Sequence, residues 1–163
     1  TGMQNFYDLG YRTVHFVCPP LRRLGTENLS AQSERADGYL QFMRGHPEMR
    51  GELISSADYL DRIESILSDS PEKPGIFCSS DLFMLSIRKR IVDLGWDPSS
   101  CCRLMGFDGI EFLDQLSQRP ASIFYPAEAI GEAAARTLDE MIHGRPVEQQ
   151  RLLPCPLIAE NGR

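Results

Sequence analysis

No stretch of this 163-residue chain is apolar for long enough to cross a bilayer, and no basic leader with an apolar core opens it. Positive charge is also short. Seventeen Lys and Arg stand against 23 Asp and Glu, a formal charge of −6. This segment therefore has no electrostatic reason to lie on nucleic acid or anionic lipid, both of which call for a basic surface. The five cysteines, at 18, 78, 101, 102 and 155, form no CxxC pair and leave an odd count. Reduced thiols packed as small hydrophobes are expected. GxGxxG, the Walker loop, the GxSxG elbow and HExxH are all missing, along with the dinucleotide, nucleotide and hydrolase chemistries they serve. His15, His46 and His143 are too scattered to suggest metal-ligand spacing. Neither a metal nor a cofactor is expected. Internal repeats and low-complexity segments are absent as well.

What is present is an alternation of short apolar runs with helical periods. Met3, Phe6 and Tyr7 share one helical face before Gly10. TVHFVC (13–18), ended by Pro19-Pro20, has strand character, and LRRLGTEN (21–28) has no period and is expected to be a loop. A helix over about 33–44 would turn Ala36, Tyr39, Leu40 and Met43 inward. GELIS suggests a short strand near 50–55, and Leu60, Ile63, Ile66 and Leu67 make an apolar stripe for the next helix. GIFCS (75–79) is a strand, and Phe83, Ile87, Ile91 and Leu94 repeat at helical spacing after it. RLMGF (103–107) and SIFY (122–125) are further strands, with a short helix near 110–117 between them. The alanine-rich run 128–144 is the strongest helix, with Ile130, Ala134, Leu138 and Ile142 in register. In the tail RLLPCPLI, Pro154 and Pro156 remove two amide donors, so a strand there belongs at an edge or a crossing between domains. The pattern predicts an α/β fold: an open, mostly parallel sheet with helices on both faces.

In such sheets ligands sit beyond the carboxyl ends of the strands, which singles out three places: Pro19 onward, Ser79-Ser80-Asp81 and Gly106-Phe107-Asp108-Gly109. Asp81 fits a helix cap favoured by the helix dipole, and the Ser80 hydroxyl suits either a cap or a ligand contact. Asp108, at a sharp turn before Gly109, is either an Asx-turn or an acceptor for ligand hydroxyl or amine groups. Arg35, near a helix start, gains nothing from the dipole; it is either a solvated side chain or a five-donor fork for ligand oxygens. Arg88, Lys89 and Arg90 read as a solvated helix face. Nothing here demands catalysis.

An ordered set of segments nevertheless resembles the effector-binding core of the lactose-repressor family of bacterial transcription regulators, which shares its fold with periplasmic sugar-binding proteins. The segments are DLGYRTVHFV, SERADGY, CSSDLFMLSIRKRIVDLGW, RLMGFDG and ASIFYPAEAIGEAAARTLDEMIHG, spanning nearly the whole chain. The resemblance implies effector contacts from Arg35, Ser80 and Asp108, with Tyr125 at a further pocket position often held by glutamine. It makes Asp81 the helix cap and leaves Ser80 facing the pocket. Serine stands where the family has asparagine, so the usual sugar contact is altered; the aromatic usual after the second strand is not recognisable near Ile54.

By the same resemblance, residues 1–163 are mostly the C-terminal lobe of a two-lobed effector-binding core in a longer polypeptide. The helix within 126–144 would belong to the missing N-terminal lobe. The implied effector is small and polar, a sugar or a nucleobase-like metabolite. A homodimer through the segments of Leu85 and Leu116 is implied, as are a cytoplasmic setting and no membrane. Operator DNA would be reached only through an N-terminal helix-turn-helix domain not contained in this chain. The rivals are a periplasmic-type solute-binding protein and a small α/β hydrolase or phosphotransfer enzyme.

Overall fold

The structure, a computed structural model, describes residues 1–21 and 30–160. The element order is α1 (Gly2–Asp8), β1 (Val14–Val17), α2 (Ser30–Gly45), β2 (Leu53–Ile54), α3 (Tyr59–Asp69), β3 (Gly75–Cys78), α4 (Asp81–Asp93), α5 (Pro98–Cys101), β4 (Arg103–Asp108), a 3-10 turn (Glu111–Gln115), β5 (Ala121–Phe124), α6 (Ala127–Ile142) and β6 (Leu157–Ile158). The strands form one sheet in the order β2-β1-β3-β4-β5-β6. The first four pairings are parallel and β5–β6 is antiparallel. The expected open, mostly parallel sheet is what forms.

Period-two alternation distributes the strand side chains to two cores. Val14, Phe16, Phe77, Met105 and Ile123 face Met3 and Phe6 of α1 and Ala36 and Tyr39 of α2. Val17, Ile76, Cys78 and Leu104 face Ile63 and Ile66 of α3 and Met84, Ile87 and Ile91 of α4. Both faces of the central strands are therefore dry, which explains why they read as continuous apolar runs. All five cysteines are free thiols, and burial raises the Cys18 thiol to about 11.

Several local expectations need correction. Leu40 is 38% exposed: of the expected stripe Ala36 and Tyr39 are buried and Met43 only partly so, which leaves Leu40 at the margin of the contact with the sheet. The run 50–55 keeps only two residues as strand, with an isolated bridge between Thr13 and Arg50 before it. The segment near 110–117 is a 3-10 turn. Helix α5 has no apolar period to betray it; Asp97 caps it, accepting from Ser99 N at 3.0 Å, with Pro98 in its first turn. The expected loop at 21–28 lies outside the described residues from 22 onward.

Helix α6 has no buried residue; Leu138, Met141 and Ile142 are each more than half exposed. Helix α1 is the opposite case. Phe6 is fully buried, edge-on to Tyr11 at 5.7 Å and tilted against Phe77 at 6.2 Å. Phe6→Ala is expected to cost about 3–5 kcal/mol of unfolding free energy, the range for emptying an aromatic core site. Urea titration followed by circular dichroism measures it; a loss under ~1 kcal/mol would mean α1 is not integral to this core.

Candidate functional site

Helix α2 follows β1 and crosses toward β3 and β4, and this route delivers Arg35 to the carboxyl ends of those strands. Its Nη1 donates to the carbonyl of Ser79, the residue after β3, at 2.6 Å. The guanidinium carbon stands 3.6 Å from the centroid of the Phe107 ring, and Nη1 lies 3.7 Å from Oδ1 of Asp108. Stacking on an aromatic face while pairing with a carboxylate is a geometry that suits arginine and not lysine. Both charged side chains stay partly open, 19% exposed at Arg35 and 35% at Asp108.

Asp108 is the one non-glycine residue with positive φ among the described residues, at +111°, and Gly109 continues at +67°. That pair reverses the chain as it leaves the sheet. The Tyr125 amide donates to the Asp108 carbonyl at 3.1 Å, which brings the end of β5 alongside. The Tyr125 side chain is exposed. Burial raises the Asp108 carboxyl above its ordinary range; Arg35 opposes the shift and Asp81 adds to it. Arg35, Ser80, Asp108 and Tyr125 thus lie along one rim, Ser80 next to the carbonyl that Arg35 grips. Leu85 and Leu116 lie elsewhere, half-buried against the α3–α4 core.

The cap expected of Asp81 is made by Ser80 instead. Ser80 is the cap of α4: its Oγ accepts from Phe83 N at 3.5 Å. Asp81 is fully buried and turns away from its own helix end. Its Oδ1 accepts the Ser122 hydroxyl at 2.7 Å and its Oδ2 accepts Ile110 N at 2.9 Å. Ser122 Oγ in turn accepts Gly109 N at 3.1 Å. Gly106 makes this possible, since a Cβ there would come within 2.0 Å of Asp81 Oδ1. Gly106 and Ser122 are partners in the β4–β5 register, so glycine and serine together form a niche for the carboxylate. A carboxylate with remote donors available makes stronger bonds there than at a solvent-facing cap, which is why the local rule for Asp81 fails. Burial raises the Asp81 carboxyl, and the bonds from Ser122, Ile110 and Gly109 with the charge of Arg119 pull it back.

Phe107 and Ser122 were not among the expected site residues. Alternation along β4 puts Phe107 on the α2 face with Met105, a signal present in the sequence. Ser122 gives none, because its partners are 41 and 13 residues away.

Asp81→Ala is expected to lower stability by about 2–4 kcal/mol, the loss of two charge-assisted bonds at a buried site, and Asp81→Asn by less. A carboxyl whose native pKa is raised binds its proton more tightly folded than unfolded, so acidification favours the native state. The stability advantage of wild type over Asp81→Asn should therefore grow as pH falls toward the ordinary Asp range, measured by urea unfolding from pH 7 to 4. At position 108, glycine and alanine both delete the carboxylate but only glycine accepts φ +111°. Asp108→Gly should thus be more stable than Asp108→Ala by roughly 1–2 kcal/mol. Equal thermal midpoints would refute the strain assigned to that turn.

Residues 3–160 match the periplasmic binding protein-like domain. The ribose operon repressor of Escherichia coli is 23% identical over 168 residues, covering 98% of this chain and 48% of the relative. That of Haemophilus influenzae is 24% identical over 153 residues, covering 90% and 44%. The chain spans about half the length of the curated relatives it matches. Among solved structures, the lac repressor dimer bound to operator and the anti-inducer ONPF superposes with a TM-score of 0.79 at 16% identity, over 98% of this chain and 55% of that one. A periplasmic binding protein/LacI transcriptional regulator from Alkaliphilus metalliredigens, complexed with D-xylulofuranose, gives 0.76 at 19% identity, over 98% and 59%. The family match runs through nearly all of this sequence, and the chain belongs to the periplasmic binding protein-like domain family.

Proposed function

We propose that this chain is the effector-sensing part of a lactose-repressor-type transcription regulator and that it takes a small polar effector, a sugar or similar hydroxyl-bearing metabolite, on the rim of Arg35, Ser80, Asp108 and Tyr125. The observation that carries this reading is the convergence of a guanidinium and a carboxylate on Phe107, with Arg35 and Asp108 3.7 Å apart at the open end of the sheet. At that separation the two are attracted without forming a direct hydrogen bond. A sugar hydroxyl can accept from the one and donate to the other, which is how charged groups fix a polyol. The names of the relatives, ribose operon repressors and a regulator holding D-xylulofuranose, support the effector class.

The chemistry is recognition, with no covalent step. Effector bound on this rim would be covered by a second lobe, and α6, with its exposed stripe of Leu138 and Ile142, is the element we assign to that lobe. Closure then depends on how much better the effector binds the closed state than the open one; equal affinity for both would move nothing. A cytoplasmic homodimer reaching operator DNA through a separate N-terminal domain completes the proposal. The exposed Leu82 and Val92 of α4, beside half-buried Leu85 and Leu116, supply an apolar surface for the dimer contact. Among the described residues no helix is long and apolar enough to cross a membrane.

Calorimetric titration of the intact regulator with a panel of pentoses and hexoses tests the site. Arg35→Ala and Asp108→Ala should each weaken the effector by about 10–100-fold, the equivalent of ~1.5–3 kcal/mol for one charged hydrogen bond. The cooperative unfolding transition should persist in both variants. Unchanged titration curves in both would remove the assignment.

A further inference from the structure

At the opposite, amino-terminal end of the strands lies a cavity of about 120 Å³, many times the roughly 10–15 Å³ that one water needs. Four cationic side chains line it: Lys73 from the loop before β3, Arg88 of α4, Arg103 opening β4 and Arg119 just before β5. One carboxylate, Glu160, shares the wall. This concentration of positive charge occurs in a chain whose formal charge is −6.

The cations are incompletely engaged. Arg103 Nη1 pairs with Glu160 Oε2 at 2.8 Å, yet its Nε is buried with no hydrogen-bond partner among the described residues. Arg119 is only 6% exposed; its Nε donates to Asp114 Oδ1 at 2.5 Å, and its buried Nη1 has no partner. Lys73 donates to the Ser99 carbonyl. Arg88 is set apart from its neighbours on α4: Lys89 pairs with Asp93 and Arg90 with Glu64, while Arg88 turns to the cavity. A buried N–H left unpaired is costly, and a guanidinium cannot relieve the cost by losing its proton. An oxyanion in the cavity would offset the gathered charge, and a small shift of the Arg103 and Arg119 side chains toward it would give the two orphan donors an acceptor.

We propose that this cavity is an oxyanion site of the phosphate class, separate from the effector rim. Arg103 and Asp108 bound the same strand, so the two sites stand roughly 16 Å apart at about 3.3 Å per residue. Arg103 and Arg119 would hold the anion through fork-shaped donor pairs, Arg88 and Lys73 would close over it, and Glu160 would compete with it for Arg103.

The test is titration of the full chain with inorganic phosphate at constant ionic strength, read by thermal shift and calorimetry, with chloride as the reference salt. Phosphate should raise the midpoint saturably where chloride does not. Arg88→Gln, a substitution at a half-exposed position that leaves the fold intact, should weaken phosphate at least about fivefold, since one charge-assisted bond is worth that much or more. Glu160→Gln should tighten it, because the competing carboxylate is gone. Ribose 5-phosphate serves as a second probe. Binding well above that of inorganic phosphate identifies a phosphorylated metabolite as the occupant; equal binding identifies the free anion. A response matched by chloride, or left unchanged by both substitutions, overturns the proposal.

Discussion

The arrangement at the sheet rim depends on one buried carboxylate seated on a glycine. Asp81 binds the start of α4 to the far ends of β4 and β5 through Ser122 and the Ile110 amide, and it can approach that closely only because position 106 has no side chain. Each such bond to a charged acceptor contributes about 1.5–3 kcal/mol. The unfavourable φ of Asp108 costs on the order of 1–3 kcal/mol. The two bonds together are large enough to hold the turn that aims Asp108, while burial of the charge keeps the Asp81 carboxyl above its ordinary range. Arg35 then finds its carboxylate in place, and the aromatic ring below it fixes the plane of the fork.

Much of this architecture was legible in the chain itself. The continuous apolar runs at 75–78 and 103–107, alternating with helical periods, are what a sheet buried on both faces requires, and the structure has that sheet. Strand ends followed by polar groups located the rim. Arg35 and Asp108 were legible as a pair only through the ordered resemblance, since nothing local in either segment refers to the other. The Ser80 cap was one of the two roles open to its hydroxyl, but the buried role of Asp81 was hidden for the same reason. Capping rules see three residues ahead, whereas the partners of Asp81 lie 29 and 41 positions away. Leu40 failed differently: helical periodicity selects a face, but how wide a strip of that face the sheet covers is set by tertiary packing.

The two ends of the sheet are electrostatically distinct. At the carboxyl ends a single guanidinium is balanced by a neighbouring carboxylate, which leaves a nearly neutral surface suited to hydroxyl groups. At the amino ends several cations share one cavity wall with a lone acid. Strand β4 connects these regions directly, with Arg103 at one end and Asp108 at the other. No loop intervenes between them, and hydrogen-bonded pairing with β3 and β5 on either side holds the strand in place.

The last two strands have a mechanical consequence. The chain departs from the sheet after Phe124 and comes back at Pro156, and those two residues are hydrogen-bonded to each other, Phe124 N to Pro156 O at 2.8 Å. Exit and return share one edge, clasped there by the short antiparallel pairing of β5 and β6. Pro126 on the outgoing limb and Pro154 on the incoming one have no amide to donate and restrict φ, so the ladder does not extend along either limb through them. The limbs that lead into and out of the α6 region are thus held side by side on the sheet, however far the chain between them reaches.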